Sequence, residues 1–182
     1  RTMDEELSRL SCKIYASIER LLAKVTKDMI IVGSHQEYDA CRVIGIQDNQ
    51  MRIIINGIAK PVLESKGLLR SELRISDSDI VIGFVGRFTH QKAPERFIKA
   101  VKEIKEDHVK GVMLGWGDQS SFVHDMIHDL NLSDRIKIYS GLDGQRYMPA
   151  FDVLLVPSRY ESMGYVFLEA AAIVSRRFPT LL

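Results

Sequence analysis

Residues 80–102 read IVIGFVGRFTHQKAPERFIKAVK and contain the pattern that decides the fold. The first six residues, Ile80-Val-Ile-Gly-Phe-Val85, predict a buried strand, and an amphipathic stretch at about 94–105 predicts the helix that follows it. A strand that is apolar throughout, without alternating polar residues, is typical of a parallel sheet covered on both faces.

The same rhythm continues toward the C-terminus. Further strands are predicted at 109–114, 136–139 and 153–156, and they alternate with helices at 120–130, 146–151 and about 164–174. Because crossovers between parallel strands are right-handed, this order predicts an α/β fold with a doubly wound, Rossmann-like parallel sheet.

The N-terminal third contains a different arrangement. Apolar residues at steps of three and four predict a long amphipathic helix, namely Leu7, Leu10, Ile14, Ile18, Leu21 and Val25. Short strands are predicted at 29–32 and 51–55, with Ser34 as the N-cap of a helix between them. The apolar stripe of the long helix either packs on more of its own domain, or a basic face of the helix lies on a membrane surface.

Composition narrows the classes of function. The 182 residues carry a formal net charge of +1, without the strongly basic balance that is typical of nucleic-acid binding. Cys12 and Cys41 have no metal-ligand spacing, which indicates two reduced thiols. No apolar run approaches the roughly 20 residues of a membrane-spanning helix, and no signal peptide is recognisable. We expect a cytoplasmic protein, with contact at the inner face of the membrane left open.

The loops after the predicted strands contain the candidate binding residues, because ligands of such sheets bind outside the carboxyl ends of the strands. Gly86, Arg87 and Lys92 follow the strand at 80–85, and Pro94 suits the first turn of the next helix. Two cations beside a helix N-terminus suit a diphosphate. A solvated basic loop is the alternative, and His90 is interpreted as a solvent-facing loop residue.

Two further loops contain glycines. Gly115-Trp-Gly117-Asp118 resembles half of a dinucleotide-binding fingerprint without its third glycine, and a tight turn with Asp118 as N-cap is the alternative. Ser140 and Gly141 follow the strand at 136–139, where their backbone could meet a base.

The loop after 153–156 is the most informative. Glu161 and Glu169 lie eight positions apart, with Gly164 between them. Gly164 lets the N–H groups at a helix start face a ligand, and an anion there meets the positive end of the helix dipole. The two carboxylates can accept hydrogen bonds from the hydroxyls of a sugar and a ribose. A capping or surface role is the alternative for such a pair taken alone.

Taken together, these segments resemble the retaining glycosyltransferases of family 4 (glycosyl transferases group 1), which have the GT-B fold. Residues 161–169 are similar to the family's E-x7-E motif. The similarity extends, in the family's order, to 86–92, 114–117 and 151–158, and 53–58 resembles the family's crossing between two domains.

This resemblance implies two domains. Residues 1–55 would be the C-terminal remnant of the N-terminal acceptor domain, and 56–182 would be the donor-binding domain, truncated at its C-terminus. The residues after Ala172 fit the family's pattern poorly. We therefore expect a fragment that binds a donor weakly and is inactive by itself.

The resemblance also assigns roles to residues. Arg87 and Lys92 would bind the donor diphosphate and Glu161 the donor sugar, so these three are the catalytic candidates, and Glu169 would bind the ribose hydroxyls. The other donor-binding candidates are Gly86, Gly115, Gly117, Ser140, Gly141, Met163, Gly164, Tyr165 and Val166. The family works without a bound metal ion or cofactor, so the two cations and the helix start would carry the leaving-group charge.

The implied reaction moves a hexosyl group, with retention of configuration, from a nucleotide-diphosphate sugar to a glycan or lipid-linked acceptor in glycan, polysaccharide or glycolipid synthesis. A catalytically inactive nucleotide-sugar-binding module is the alternative. An epimerase is disfavoured by the E-x7-E unit. A flavodoxin-like regulatory domain is disfavoured by the cations Arg87 and Lys92, since such a domain would have acidic residues there.

Overall fold

The computed structural model describes residues 3–26, 29–55, 57–62, 64–161 and 164–177, with side chains from Ser11 to Ser175. The chain divides into two compact units, Arg1–Gly57 and Ile58–Leu182. The interpretation of the first unit as the remnant of an acceptor domain stays a prediction. Asn56 of the predicted crossing lies outside the described residues.

The first unit is a small α/β arrangement. Its elements are α1 (Met3–Thr26), β1 (Ile30–Val32), α2 (His35–Val43), a 3-10 turn (Asp48–Gln50) and β2 (Met51–Ile53). The two strands pair in parallel. The Ser34 hydroxyl accepts the N–H of Glu37 at 3.1 Å, which confirms the predicted N-cap of α2. Ala23, Ile46 and Met51 form the buried centre of this unit.

The apolar stripe of α1 is open to solvent within this unit. Ile14, Ile18, Leu21 and Val25 are between 47% and 70% exposed. Both interpretations of the stripe, packing on further parts of a domain and lying on a membrane, therefore stay predictions. Among the described residues, no helix combines the length and the apolar content needed to cross a membrane.

The second unit contains the predicted parallel sheet. Its elements are α3 (Lys66–Glu72), β3 (Ile80–Val85), α4 (Pro94–Glu103), β4 (Val109–Leu114), α5 (Ser120–Asp129), β5 (Ile136–Tyr139), α6 (Gly144–Tyr147), a 3-10 turn (Met148–Ala150), β6 (Val153–Leu154) and α7 (Tyr165–Arg177). The strand order is β5-β4-β3-β6, and every neighbouring pair is parallel. All strands therefore end at the same edge of the sheet, which we call the carboxyl edge.

Both faces of this sheet are covered, as a doubly wound fold requires. On one face Val81, Val112 and Leu114 belong to a core that includes Leu69 of α3 and Ile173 of α7. On the other face Phe84 and Met113 belong to a second core, together with side chains of α4 and α5. Neighbouring residues of a strand point to opposite faces, so a strand that is apolar throughout contributes side chains to the cores on both faces of the sheet.

Two local predictions are wrong. The predicted helix at 146–151 is the short helix α6 followed by a 3-10 turn that contains Pro149, because proline has no N–H to continue an α-helix. Asp118 does not cap α5: the residue before this helix is Gln119, and the Ser120 hydroxyl accepts the N–H of Gly117 at 2.9 Å.

The amino edge of the sheet, where the strands begin, contains an ion cluster in which the buried Arg70 meets the partly exposed Asp152 and Lys66. Arg70 is 2% exposed, and its Nη2 lies 2.6 Å from Asp152 Oδ2. The same Asp152 oxygen accepts the N–H of Val81 at 2.7 Å, and Lys66 pairs with the other oxygen. Arg70 also donates to four backbone carbonyls, those of Ser76, Asp77, Asp79 and Ala150. We refer to these three side chains as the amino-edge cluster.

Candidate functional site

Lys92 and Glu161 meet at the carboxyl edge, although they come from different loops. Lys92 lies between β3 and α4, and Glu161 lies between β6 and α7. Lys92 Nζ is 2.6 Å from Glu161 Oε1, and the Ser158 hydroxyl donates to the same oxygen at 2.6 Å. The two charged side chains are 22% and 19% exposed, so a ligand can reach the pair.

The ionised form of Glu161 is favoured at this position. Partial burial acts to raise the pKa of its carboxyl, but the hydrogen bonds from Lys92 and Ser158 and the positive charge of Lys92 together lower the pKa below its ordinary value. Glu161 is therefore a carboxylate that can exchange its hydrogen-bond donors for the hydroxyls of a sugar.

Arg87 follows β3 and one glycine, so it lies at the same carboxyl edge. It is exposed, and its side chain makes no hydrogen bond or ion pair with any other described residue. A Cβ built on Gly86 would lie 3.7 Å from Cδ of Lys92, which shows that the Lys92 stem passes beside the backbone at Gly86. Among the described residues, the loop after β3 therefore carries one paired cation, Lys92, and one unpaired cation, Arg87.

The start of α7 lies next to Glu161, since a Cβ built on Gly164 would be 3.8 Å from the Cβ of Glu161. Gly164 is buried with φ +59°, and a Cβ there would lie 2.7 Å from the ring of Phe167, so this position requires glycine. The backbone N–H groups of Tyr165 and Val166, in the first turn, have no acceptor among the described residues. The Val166 side chain is in the core, so its backbone alone is open to a ligand. The candidate Met163 lies outside the described residues.

Glu169 lies in the second turn of α7 and is partly buried. Burial raises the pKa of its carboxyl, and the negative charge of Asp143 raises it further. Asp143 caps α6 at the end of β5, where its carboxylate accepts the N–H of Gln145 at 3.0 Å. Glu169 is therefore near enough to Asp143, in the loop after β5, for the two negative charges to repel, and no hydrogen bond joins it to Lys92 or Glu161 among the described side chains.

The glycines in the loops after β4 and β5 differ in how closely their backbone packs against neighbouring loops. A Cβ at Gly115 would collide with the carbonyl oxygen of Gly86, and a Cβ at Gly117 would collide with the backbone of Phe88. Ser140 donates to the Gly115 carbonyl at 3.3 Å, and a Cβ at Gly141 would meet open space. Close packing of neighbouring loops thus explains Gly115 and Gly117 without a ligand, while Gly141 has no such packing reason.

Three residues of the site region, namely Ser158, Asp143 and Arg159, have no role among the sequence predictions. Asp143 could have been found as a helix N-cap signal directly after a glycine-containing loop. Arg159, which forms an ion pair with Glu95 at 2.6 Å, carried no such signal because its partner lies 64 positions earlier in the chain.

A groove of about 460 Å³ between α5 and β5 is lined by His124, His128 and Ser133 among others. The described part of the chain contains no group of three or more histidine, cysteine, aspartate or glutamate side chains placed to hold a metal ion.

Comparison with known proteins points in one direction. Residues 65–174, more than half of the chain, match the family model described as glycosyl transferases group 1. A protein in the cps region of Klebsiella pneumoniae is 32% identical over 164 residues, and a glycosyltransferase of Methanocaldococcus jannaschii is 28% identical over 170 residues; both are described as uncharacterized. The alignments cover 87% and 88% of this chain but 44% of each relative, so the chain spans less than half the length of these proteins.

A solved structure shows the same fold. Anabaena HepE in complex with UDP and glucose superposes with a TM-score of 0.77 at 21% identity, over 88% of this chain and 46% of the Anabaena chain. At this identity the similarity supports the Rossmann-like architecture, and the family rests on the match over residues 65–174.

Proposed function

The chain belongs to the glycosyl transferases group 1 family, and on that premise we propose that its protein transfers a hexosyl group from a nucleotide-diphosphate sugar to a glycan or lipid-linked acceptor. We further propose that the anomeric configuration of the sugar is retained. In this proposal the second unit, Ile58–Leu182, binds the donor.

The observation that carries the proposal is the meeting of Lys92 and Glu161 at 2.6 Å on the carboxyl edge. A cation and a carboxylate at one point of that edge can divide a nucleotide sugar between them. The ammonium group attracts the diphosphate, and the carboxylate accepts hydrogen bonds from sugar hydroxyls. On donor binding, Lys92 exchanges the Glu161 carboxylate for the diphosphate, and Glu161 exchanges its present donors for sugar hydroxyls.

The remaining candidates fit around this pair. Arg87, which has no partner among the described residues, adds a second positive charge for the diphosphate. The N–H groups of Tyr165 and Val166, which have no acceptor in the described part of the chain, add the positive end of the α7 dipole. Glu169 lies near the loop after β5, where it would accept the ribose hydroxyls while Ser140 and Gly141 meet the base. This arrangement lays the donor along the carboxyl edge, from the sugar at Glu161 to the base near β5.

Stabilisation of the departing diphosphate is assigned to the same positive groups. We propose that Arg87, Lys92 and the start of α7 carry this charge without a resident metal ion. Addition of a chelator should then leave donor binding unchanged, and a loss of binding that Mg²⁺ or Mn²⁺ restores would contradict this part of the proposal.

A nucleotide-sugar donor is also supported by the Anabaena structure, which contains UDP and glucose. UDP-glucose is accordingly the first donor to test, followed by GDP and ADP sugars. The test is isothermal titration calorimetry of the 182-residue chain with each compound.

Three variants test the contacts with the diphosphate and with the ribose separately. Lys92→Met and Arg87→Met should weaken binding of both UDP and UDP-glucose roughly tenfold or more, because each removes a charge-assisted bond to phosphate. Glu169→Gln should weaken UDP but leave inorganic pyrophosphate unaffected, since the ribose is missing from pyrophosphate. Lys102→Met, an exposed cation in the last turn of α4, is the matched control and should bind like the wild type.

Two outcomes would contradict the proposal. Equal affinities of the wild type and all three variants would remove the site. Donor binding without hexosyl transfer by the full-length protein would indicate the inactive binding module instead.

A further inference from the structure

We propose that Arg159 and Glu95 form a positioning pair that sets the two donor loops at a fixed distance from each other. The inference deepens the proposed function and rests on it, because it concerns how Lys92 and Glu161 are held ready for the donor. We call the loop 86–93 the phosphate loop and the loop 155–161 the sugar loop.

Arg159 ties the two loops together through three separate bonds. Its backbone N–H donates to the carbonyl of Gln91 at 2.8 Å, and its Nη1 donates to the carbonyl of His90 at 2.5 Å. Its Nη2 forms an ion pair with Glu95 at 2.6 Å, in the first turn of α4. One residue of the sugar loop thus holds the phosphate loop at both its backbone and its following helix.

The bonds of Arg159 lie directly beside the two residues that meet. His90 and Gln91 immediately precede Lys92, and Arg159 is two positions before Glu161. A side chain fixed at this point limits how far the ammonium of Lys92 and the carboxylate of Glu161 can move apart.

Neighbouring contacts reinforce the same junction. The Gln91 side chain donates to the carbonyl of Tyr160 at 3.2 Å, and Arg96 donates to the carbonyl of Pro157 at 3.3 Å. Side chains of the phosphate loop and of α4 therefore reach the backbone of the sugar loop. Arg159 differs from these because it is itself held by a carboxylate, with Glu95 15% and Arg159 28% exposed.

The planar geometry of the guanidinium explains why an arginine fits this position. The planar guanidinium can donate along two directions at once, so a single side chain bonds His90 and Glu95 together. Lysine offers a point charge without this fixed geometry. Glu95 also benefits from the positive end of the α4 dipole, which favours a carboxylate in the first helical turn.

The consequence for binding depends on the length of the ligand. A nucleotide sugar would contact both loops, whereas inorganic pyrophosphate would contact the phosphate loop alone. Loss of alignment therefore penalises UDP-glucose more than pyrophosphate, because the protein must pay ordering entropy before both ends of the donor can bind.

The experiment measures the affinities of UDP-glucose and pyrophosphate for the wild-type chain and for Arg159→Met. We expect the variant to lose roughly tenfold in affinity for UDP-glucose and less than about threefold for pyrophosphate. Arg159→Lys should fall between the two proteins. Glu95→Gln should show a smaller loss of the same kind, and the double variant should be no worse than Arg159→Met, since both residues act through one contact.

Amide hydrogen exchange provides a readout that needs no ligand. In Arg159→Met the amides of the phosphate and sugar loops should exchange faster, while those of β3 and β4 keep their protection. Lys102→Met is again the control and should change neither measurement. If Arg159→Met does not fold, Glu95→Gln carries the same comparison alone.

The outcomes separate this inference from the proposed function. If the wild type binds UDP-glucose and Arg159→Met loses affinity equally for both ligands, or for neither, the positioning role is overturned. The donor site then stays in place. Absence of any nucleotide-sugar binding by the wild type, with binding also absent in the full-length protein, overturns the proposed function and with it the assignment of these loops to a donor. Unchanged exchange in both loops overturns the structural part of the inference.

Discussion

The two edges of the same sheet both contain ion pairs, but they use them differently. At the amino edge the buried Arg70 donates to five protein acceptors, and one of them, Asp152 Oδ2, also accepts the N–H of Val81. At the carboxyl edge Lys92 has Glu161 as its one charged partner among the described residues, Arg87 has none, and the first N–H groups of α7 lack acceptors.

The difference separates bonds that hold the fold together from bonds that await a ligand. A buried charge whose partners are all protein groups is costly to disturb, because removal of one partner leaves the other desolvated and unpaired. A partly exposed pair with unused donors around it loses little when one member is removed, since water can replace the partner. Four substitutions with expected effects on stability that range from large to small test this contrast.

Arg70→Met should have the largest effect. The substitution leaves four backbone carbonyls and Asp152 without their buried donor, and we expect a loss of about 3–5 kcal/mol in the free energy of unfolding. Urea denaturation followed by circular dichroism measures this loss. A change below about 1 kcal/mol would show that the amino-edge cluster is no more important than a surface pair.

Asp152→Asn should cost about 1–3 kcal/mol, because the amide oxygen can still accept the Val81 N–H but the charge is gone. The pH dependence gives a second test. Burial acts to raise the pKa of Asp152, but the Lys66 and Val81 hydrogen bonds and the charges of Arg70 and Lys66 lower it overall.

A lowered pKa in the folded state means that the Asp152 contribution is present above the unfolded pKa of about 3.9 and is lost as the pH falls through the lower folded value. Thermal melting between pH 7 and pH 2.5 should therefore show a smaller acid destabilisation in Asp152→Asn than in the wild type. Parallel curves for the two proteins would mean that Asp152 is not ionised in the way the structure indicates.

Lys92→Met should change stability by no more than about 1 kcal/mol, since its pair is partly exposed. The same substitution is the one expected to weaken donor binding strongly. Measured together, melting and calorimetry should separate the two edges: Arg70→Met lowers stability, and Lys92→Met lowers affinity. A loss of stability in Lys92→Met as large as that in Arg70→Met would erase the contrast.

Glu169→Gln should have the smallest effect on stability, and of opposite sign. Burial and the charge of Asp143 raise the pKa of Glu169, so its ionised form is unfavourable in the folded protein. This penalty applies above the raised pKa and is relieved as the pH falls through it, so the neutral glutamine should stabilise the chain near pH 7 by less than about 1 kcal/mol. Destabilisation by Glu169→Gln at pH 7 would contradict this, and Asp125→Asn, an exposed aspartate on α5, serves as control.

Much of the fold could be predicted from local pattern. Ile80–Val85 and Val109–Leu114 are strands because each is a mainly apolar run, and the observed bounds of both are those that the sequence predicts. The ends of less regular elements were harder to predict. Of the predicted strand at 153–156, only Val153 and Leu154 pair with β3. Strand length depends on the neighbouring strand, which a local window of sequence does not contain.

The candidate site could be located by loop but not by contact. Topology places the loops after β3, β4, β5 and β6 at one edge, so residues such as Lys92, Glu161 and Glu169 could be assigned to that edge from their positions after strands. Which of them touch could not be predicted: Lys92 pairs with Glu161, while Glu169 lies near Asp143. The assignment of these residues to a donor stays a prediction until binding is measured.

By itself the sequence determined the parallel α/β class, the order of its elements and the loops that face a ligand, because apolar periodicity and turn residues act over short stretches of chain. The tertiary structure decided the three ion pairs that distinguish the two edges. Arg70 and Asp152 are 82 positions apart, Lys92 and Glu161 are 69 apart, and Glu95 and Arg159 are 64 apart. The two carboxyl-edge pairs follow from the side-by-side packing of β3 and β6, and the Arg70–Asp152 pair follows from the packing of α3 against the 3-10 turn before β6. No local pattern relates the side chains that this packing brings together.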